Sequence, residues 1–474
     1  MRDRAWFHGK AVYVVGLGSY GTGREVAKAM HSLGATVTVA DAKPAEALES
    51  ERAALRGVPV KWELGTFSYA GAKSTDLVIV SPGVPLSLPP LQAAAAQGVP
   101  VVSELQVAFE ISQAPFLAVT GTKGKSTTTS LLGEMLAAAG QTVRITGNIG
   151  SPAIADALDA KESEVLVTEV SSFQLEGITS FRPKVSVFTN FHGDHLDRYP
   201  SLDAYWAAKC RLFEFQTPYD WAVLNHDDAR IAGLQDTIKT RAVWFSARGE
   251  VERGAWVSGQ VLWVRAPGAE AVRVPLTDYH LIGAHNRTNA AAAAAAATVW
   301  GCPPFAIERA LAQAASLPGR LERVASLNGI QFVNDTQATT PDAARAAVEA
   351  FDERVVLLAG GRAKTDDFAT LFRGLRDRFS YVILFGEGAG KLELAAREQG
   401  VRRVERCKDL DEAFRTAYRL AESGEVILLS PACASFDQYA NAGARGEHFR
   451  RLVKDLRIEL DLPSDSPGRA ERVW

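Results

Sequence analysis

A chain of 474 residues exceeds what a single hydrophobic core organises, so two to four domains are expected. Apolar residues at 47% and charged residues at 23% match the globular average and exclude wholesale disorder; a net charge of -3 excludes long-range attraction to nucleic acid or an anionic membrane, leaving any phosphorylated ligand to local donors. Cys210, Cys302, Cys407 and Cys433 show no CxxC or metal spacing, and no apolar leader opens the chain, so a cytoplasmic protein with reduced thiols and no membrane or nucleic-acid partner is expected.

Lys10 to Val15 alternates into a strand that ends at Gly16-Leu17-Gly18-Ser19-Tyr20-Gly21, and a helical pattern follows from Arg24 to Leu33. A second strand, Thr36 to Ala40, ends at Asp41, about 20 residues past the last glycine. That is the dinucleotide fingerprint, in which a tight turn and a helix N-terminus receive a pyrophosphate and the acid meets a ribose hydroxyl. An NAD(P)-dependent oxidoreductase and a domain binding another nucleotide diphosphate are both compatible with it. Leu77 to Val80 reads as a buried strand closed by Ser81-Pro82-Gly83, at the sheet edge where ligands bind or where the chain merely turns.

The second set of elements opens with the apolar run Phe116 to Val119, which breaks at Thr120-Gly121-Thr122-Lys123-Gly124-Lys125-Ser126-Thr127 and starts a helix. Glycines, backbone N–H groups and a helix N-terminus form a phosphate cradle, with Lys125 on the terminal phosphates and Ser126 or Thr127 toward Mg²⁺. The full signature places a glycine where Val119 stands, so a glycine turn with an exposed lysine is the bland alternative. Gly147-Asn148-Ile149-Gly150 and Thr168-Glu169-Val170 each follow an apolar strand; Glu169 is placed either to hold a cation beside the cradle or to end as a solvated cap.

Asn190-Phe191-His192-Gly193-Asp194-His195-Leu196-Asp197 is a polar loop whose imidazoles allow zinc as well as magnesium. Lys209 sits among apolar neighbours in the helix Tyr205 to Leu212, where a lysine ordinarily snorkels to solvent. Residues 221 to 280 look strand-rich. Ala284-His285-Asn286-Arg287-Thr288-Asn289 caps an alanine-rich helix with amides able to read a nucleobase edge or simply to cap.

Ser316-Leu317-Pro318-Gly319 is a hinge, and after it the strand and helix alternation resumes. The expected strand ends carry Asn334-Asp335-Thr336-Gln337, Gly360-Gly361-Arg362-Ala363-Lys364, Gly386-Glu387-Gly388 and Ser430-Pro431-Ala432-Cys433-Ala434-Ser435. Pro463 to Trp474 is polar and expected to fray. The expected fold is α/β in three domains, each on a mainly parallel sheet: a Rossmann-like domain over 1–104, a P-loop ATPase-like domain over 105–316 and a second Rossmann-like domain over 317–474.

A fingerprint turn and a GKST cradle imply two nucleotides in one molecule, which a dehydrogenase does not need. TGTKGKST, GNIG, EVSSFQLE, DHLDRY, HNRTN and SPACASFDQY, in that order, resemble the Mur ligase family over essentially the whole chain. The SSFQLE run and the fingerprint domain set the chain apart from folylpolyglutamate synthesis, and a non-catalytic nucleotide-binding module does not require the set Lys125, Glu169, His195 and Lys209.

The resemblance implies an ATP-dependent amide ligation joining glutamate to UDP-MurNAc-L-Ala, with two Mg²⁺ ions; a monomer is expected. Gly18, Ser19, Tyr20, Asp41, Ser81, Gly83 and Asn148 would hold the UDP substrate. ATP would be held by Gly121, Thr122, Lys123, Gly124, Lys125, Ser126, Thr127, Asn286, Arg320 and Asp335. Ser126 and Glu169 would hold one metal, and His195 with a carbamylated Lys209 the second. Lys125, His195 and Lys209 would carry the catalysis. Thr339, Lys364, Ser435 and Phe436 would receive glutamate.

Two departures bear on that last pocket. The family's NDSKATN reads here Asn334-Asp335-Thr336-Gln337-Ala338-Thr339-Thr340, and the histidine usual before Arg320 is Gly319. An amide replaces an ammonium facing the incoming carboxylate, so ligation of L-glutamate in place of the D-enantiomer is the alternative within the family.

Overall fold

The computed structural model describes residues 2–17, 21–66, 68–193 and 198–460. The chain divides into two compact units, Met1–Tyr279 with Arg287–Gln313, and His280–Asn286 with Ala314–Trp474. Among the described residues no helix is long and apolar enough to cross a membrane. The architecture is α/β on three mostly parallel sheets.

The first unit contains two of them. Strands β1 (Ala11–Val15), β2 (Thr36–Asp41), β3 (Val60–Leu64), β4 (Leu77–Val80) and β5 (Val101–Ser103) form an all-parallel sheet in the order β3-β2-β1-β4-β5. Val12 to Val15 and all of β4 are buried, as a sheet covered on both faces requires. The order reverses between β1 and β4, which puts a ligand crevice outside their carboxyl ends.

The next sheet is built from β6 (Phe116–Thr120), β7 (Thr142–Gly147), β8 (Glu164–Glu169), β9 (Val185–Phe188), β10 (Trp221–Asn225), β11 (Arg241–Ser246), β12 (Gly254–Ser258), β13 (Val261–Arg265) and β14 (Val272–Pro275), ordered β14-β13-β12-β11-β10-β9-β6-β8-β7. Strands β12 to β14 are antiparallel, and the directly opposed Trp256 and Trp263 stack there with ring centroids 6.1 Å apart. The strand-rich stretch of the sequence thus continues the central sheet. Every alanine from Ala290 to Ala297 in the helix Ala284–Trp300 is 0% exposed, so that run is a packed core helix.

A buried tie joins the end of the first sheet to the second. Ser103 N–H donates to the Gly177 carbonyl at 3.0 Å, and Gln174 of the SSFQLE run donates from Nε2 to Glu104 at 2.9 Å. Gln174 also closes a capping box on Ser171. Burial pushes the Glu104 carboxyl up to about 7, since a low-dielectric surround penalises the charged form.

In the second unit, β15 (Glu322–Leu327), β16 (Ile330–Asn334), β17 (Val355–Gly360), β18 (Phe379–Phe385), β19 (Val404–Arg406) and β20 (Val426–Leu429) are ordered β15-β16-β20-β17-β18-β19. Only the β15–β16 pair of this sheet is antiparallel among the described residues. Pro463 to Trp474 lies outside the described residues.

Candidate active site

At the switch point of the first sheet, Ser81 Oγ donates to the Gly16 carbonyl at 2.6 Å, so the ends of β1 and β4 are locked together. Asp41 accepts from Leu17 N–H at 2.8 Å and from Lys43 N–H at 2.9 Å. Its carboxylate therefore shapes the turn itself, a role the fingerprint spacing does not reveal. A Cβ on Gly83 would meet nothing within 4 Å, leaving open space beside Ser81. Gly18, Ser19 and Tyr20 lie outside the described residues.

The cradle follows β6 and leads into the helix Lys125–Ala138. Gly121 has φ 149° and Gly124 φ 77°, conformations that favour glycine; a Cβ on either would strike Thr189 or Asn289. The loop is held by the segment after β9. Thr189 Oγ1 donates to the Lys123 carbonyl at 2.7 Å, Asn190 Oδ1 accepts from Lys123 N–H at 2.8 Å, and Asn190 Nδ2 returns to the Lys123 carbonyl at 3.0 Å. Thr122 N–H donates to the Asn190 carbonyl at 2.9 Å, and Thr122 Oγ1 accepts from His192 N–H at 3.0 Å. His192 is thus a loop residue braced on the cradle. Lys125 Nζ donates to the Thr122 carbonyl at 3.1 Å, folded over the loop it would serve.

Glu169 ends β8 in register with Val119 of β6 and Gly147 of β7. Asn148 Nδ2 donates to its Oε1 at 2.8 Å, while Oε2 is buried with no hydrogen-bond partner. A carboxyl oxygen buried without a hydrogen-bond partner is costly and is a fit for a hard cation, which prefers oxygen ligands. Ser126 is buried at the first turn of the cradle helix. Lys209 is 1% exposed; its Nζ donates to the Gly121 carbonyl at 2.8 Å and lies 4.7 Å from the Tyr205 ring centroid. It points into the cradle and does not snorkel. Among the described residues no group of three or more His, Cys, Asp or Glu could hold a metal, and His195 lies outside them.

Asn286 is buried and donates from Nδ2 to the Ile282 carbonyl at 2.8 Å. In the second unit, Asp335 accepts from Leu321 N–H at 3.1 Å and from Ser430 Oγ at 2.8 Å, and burial pushes it up to about 7. Arg320, next in chain to Leu321, adds a charge that favours the ionised form. Lys364 Nζ donates to Thr339 Oγ1 at 3.3 Å, so these two loops meet; Ser435 is buried and Phe436 is 62% exposed.

The departures around Gly319 fit one another. Gly319 has φ 70°, and a Cβ there would lie 2.6 Å from Thr336 Cγ2. Gln337 N–H donates to the Gly319 carbonyl at 3.1 Å, and the Gln337 side chain is on an exposed residue.

Residues 10–103 match the Mur ligase MurD-like N-terminal domain, 119–297 the Mur ligase middle domain, and 319–433 the Mur ligase glutamate ligase domain. The UDP-N-acetylmuramoylalanine--D-glutamate ligase of Pelotomaculum thermopropionicum is 40% identical over 451 residues, 95% of this chain and 99% of that one. The chain belongs to the Mur ligase family. The ligase of the same name from Geobacillus sp. is 38% identical over 463 residues, covering 96% of this chain and all (100%) of that one. Among solved structures, UDP-N-acetylmuramate-alanine ligase MurC from Thermotoga maritima superposes with a TM-score of 0.61 at 20% identity, covering 95% of this chain and 100% of that one. A pseudomurein peptide ligase type C from Methanothermus fervidus gives 0.58 at 18% identity, covering 94% and 100%. Mur ligases are ATP-dependent amide-forming ligases, and this chain is an enzyme of that class.

Proposed function

We infer that the enzyme joins D-glutamate to UDP-N-acetylmuramoyl-L-alanine at the expense of ATP, in peptidoglycan precursor synthesis. The single observation that carries this is the near-complete match, 95% of the chain at 40% identity, to a ligase of that name. The three segments 1–104, 105–316 and 317–474 would bind the UDP substrate, ATP and glutamate.

Chemistry and placement support this reading. The Gly121 to Thr127 cradle supplies backbone N–H groups and the Lys125 ammonium to a triphosphate. Ser126 and the orphaned Glu169 Oε2 would hold Mg²⁺, and Lys209, carbamylated on Nζ, would turn a buried cation into a carboxylate for a second ion beside His195. Bound there, the ions would neutralise charge on the transferring phosphoryl group. Ser81, Gly83 and Asn148 sit at carboxyl edges suited to the UDP substrate, and Asp41 fixes the turn that meets it.

The substrate's alanine carboxylate takes the γ-phosphoryl group of ATP to give an acyl phosphate and ADP. The glutamate amine then attacks that carbonyl, the amide bond forms, and inorganic phosphate leaves. What the protein contributes is alignment and charge stabilisation. Asn286, Arg320 and Asp335 would hold the nucleotide, and Thr339, Lys364, Ser435 and Phe436 the amino acid. The test is mass analysis of the UDP product: one added glutamate residue, formed only with ATP present, supports the reading, and an unchanged substrate mass under all conditions rejects it.

A further inference from the structure

Arg445 lies in the first turn of the helix Ala442–Glu459 and is 0% exposed. Its Nε donates to Thr336 Oγ1 at 3.0 Å, Nη2 to the Thr336 carbonyl at 3.0 Å and the Cys433 carbonyl at 3.2 Å, and Nη1 to the Gly360 carbonyl at 3.2 Å. Thr336 follows β16, Gly360 ends β17 and Cys433 follows β20, and these three strands are neighbours in the order β16-β20-β17. A single guanidinium thus fastens three adjacent loops at one sheet edge.

The surroundings are shaped to admit it. A Cβ on Gly361 would lie 3.0 Å from Nη1, and one on Gly446 would lie 2.7 Å from Thr336 Cγ2. Thr336 Oγ1 also donates to the Ala442 carbonyl at 2.9 Å, so the hydroxyl is used in both directions. Backbone bonds cross the same loops: Ala432 N–H to the Ala338 carbonyl at 2.9 Å, Gly360 N–H to Pro431 at 2.9 Å, and Arg362 with Ala434 in both directions at 2.8 and 3.0 Å.

Packing alone does not call for this arrangement. Burying a guanidinium against carbonyl and hydroxyl oxygens is expensive, and apolar replacements at buried charges are often as stable. What an apolar side chain cannot provide is a planar fork of directed donors that fixes the spacing of three loops. Those loops carry Thr339, Lys364 and Ser435.

We propose that Arg445 is a positioning residue for the incoming amino acid, holding the three loops at the separation that glutamate spans. This rests on the reading that Thr339, Lys364 and Ser435 bind glutamate. The guanidinium reaches the amino acid only through these loops, so its loss acts on glutamate binding more than on ATP or the UDP substrate. Lysine, a point donor on a flexible stem, cannot span the three loops and does not replace it.

The experiment measures steady-state phosphate release by the full-length enzyme, with KM for each of the three substrates, for Arg445→Lys, Arg445→Met, Thr336→Val and Lys364→Ala. The expected result is a tenfold or greater rise in glutamate KM for both Arg445 variants, with KM for ATP and the UDP substrate within threefold of the parent. Thr336→Val, which keeps the shape and removes the hydroxyl that accepts from Arg445 and donates to Ala442, raises glutamate KM at least threefold and decides the matter should either Arg445 variant fail to fold. Unchanged glutamate KM in a folded Arg445 or Thr336 variant overturns the proposal, as does an equal rise in all three constants. If Lys364→Ala leaves glutamate KM unchanged, the reading of the amino-acid site falls and takes the proposal with it; a raised value there with no change in Arg445→Lys overturns the proposal alone.

Discussion

Asn148 and Glu169 are bound to each other twice: the Asn148 amide donates to Glu169 Oε1 at 2.8 Å and its backbone N–H donates to the Glu169 carbonyl at 2.9 Å, which leaves Oε2 buried and without a donor. The pair aims one carboxylate oxygen at a fixed place beside the cradle. Glu169→Gln should lower kcat by about 100-fold or more and raise the Mg²⁺ concentration needed for half activity, because the amide carries no charge for the cation. The melting temperature should stay near the parent value, since the glutamine carbonyl oxygen can still accept from Asn148. Magnesium titrations of activity beside a thermal melt check both halves.

Lys125→Ala should abolish turnover while sparing the fold. The Nζ bond to the Thr122 carbonyl is local to a loop already held by Thr189 and Asn190, so circular dichroism and the melting temperature should stay near the parent values as phosphate release vanishes. Unfolding of the variant would refute the placement of this side chain toward ligand.

Gly319 and Thr336 should behave as a coupled pair. Gly319→Ala places a Cβ 2.6 Å from Thr336 Cγ2 at φ 70°, with an expected loss of about 1–3 kcal/mol. In a Thr336→Ser background the methyl is gone and only the backbone strain of about 1 kcal/mol should remain. A double-mutant cycle by urea denaturation measures the coupling.

The Glu104 carboxyl should make stability depend on pH. Burial raises it from 4.5 to about 7 in the folded protein, so the folded state keeps a proton that the unfolded state releases. Its contribution is fully present below about pH 4.5 and is lost as pH rises through about 7, each tenfold difference in proton affinity being worth about 1.4 kcal/mol. Glu104→Gln, which can still accept from Gln174, should flatten that part of the stability profile. Melting temperatures of the two proteins between pH 5 and 8 provide the comparison.

Strand ends were the most legible part of the sequence. Runs such as Leu77 to Val80 and Phe116 to Val119 are apolar throughout because parallel strands are buried on both faces, and each stops at a glycine or polar residue at the carboxyl edge of its sheet. Glu169 could be placed at such an edge, but that one of its oxygens is orphaned depends on Asn148, whose side chain arrives from the loop just past the neighbouring strand. The bracing of Lys123 by Thr189 and Asn190 joins residues far apart in sequence, so no local pattern announces it. The spacing of Asp41 points to a ribose, whereas the fold uses its oxygens on Leu17 and Lys43. Arg445 gave no signal because an arginine in a terminal amphipathic helix ordinarily faces water; only the convergence of three strand ends turns it inward.

The most direct measurement is phosphate release from ATP with each substrate omitted in turn and with D- and L-glutamate compared. Release should require UDP-N-acetylmuramoyl-L-alanine and D-glutamate together, with the L-enantiomer at least 100-fold poorer in kcat/KM. Release that prefers L-glutamate, or no release with either enantiomer, would contradict the assignment.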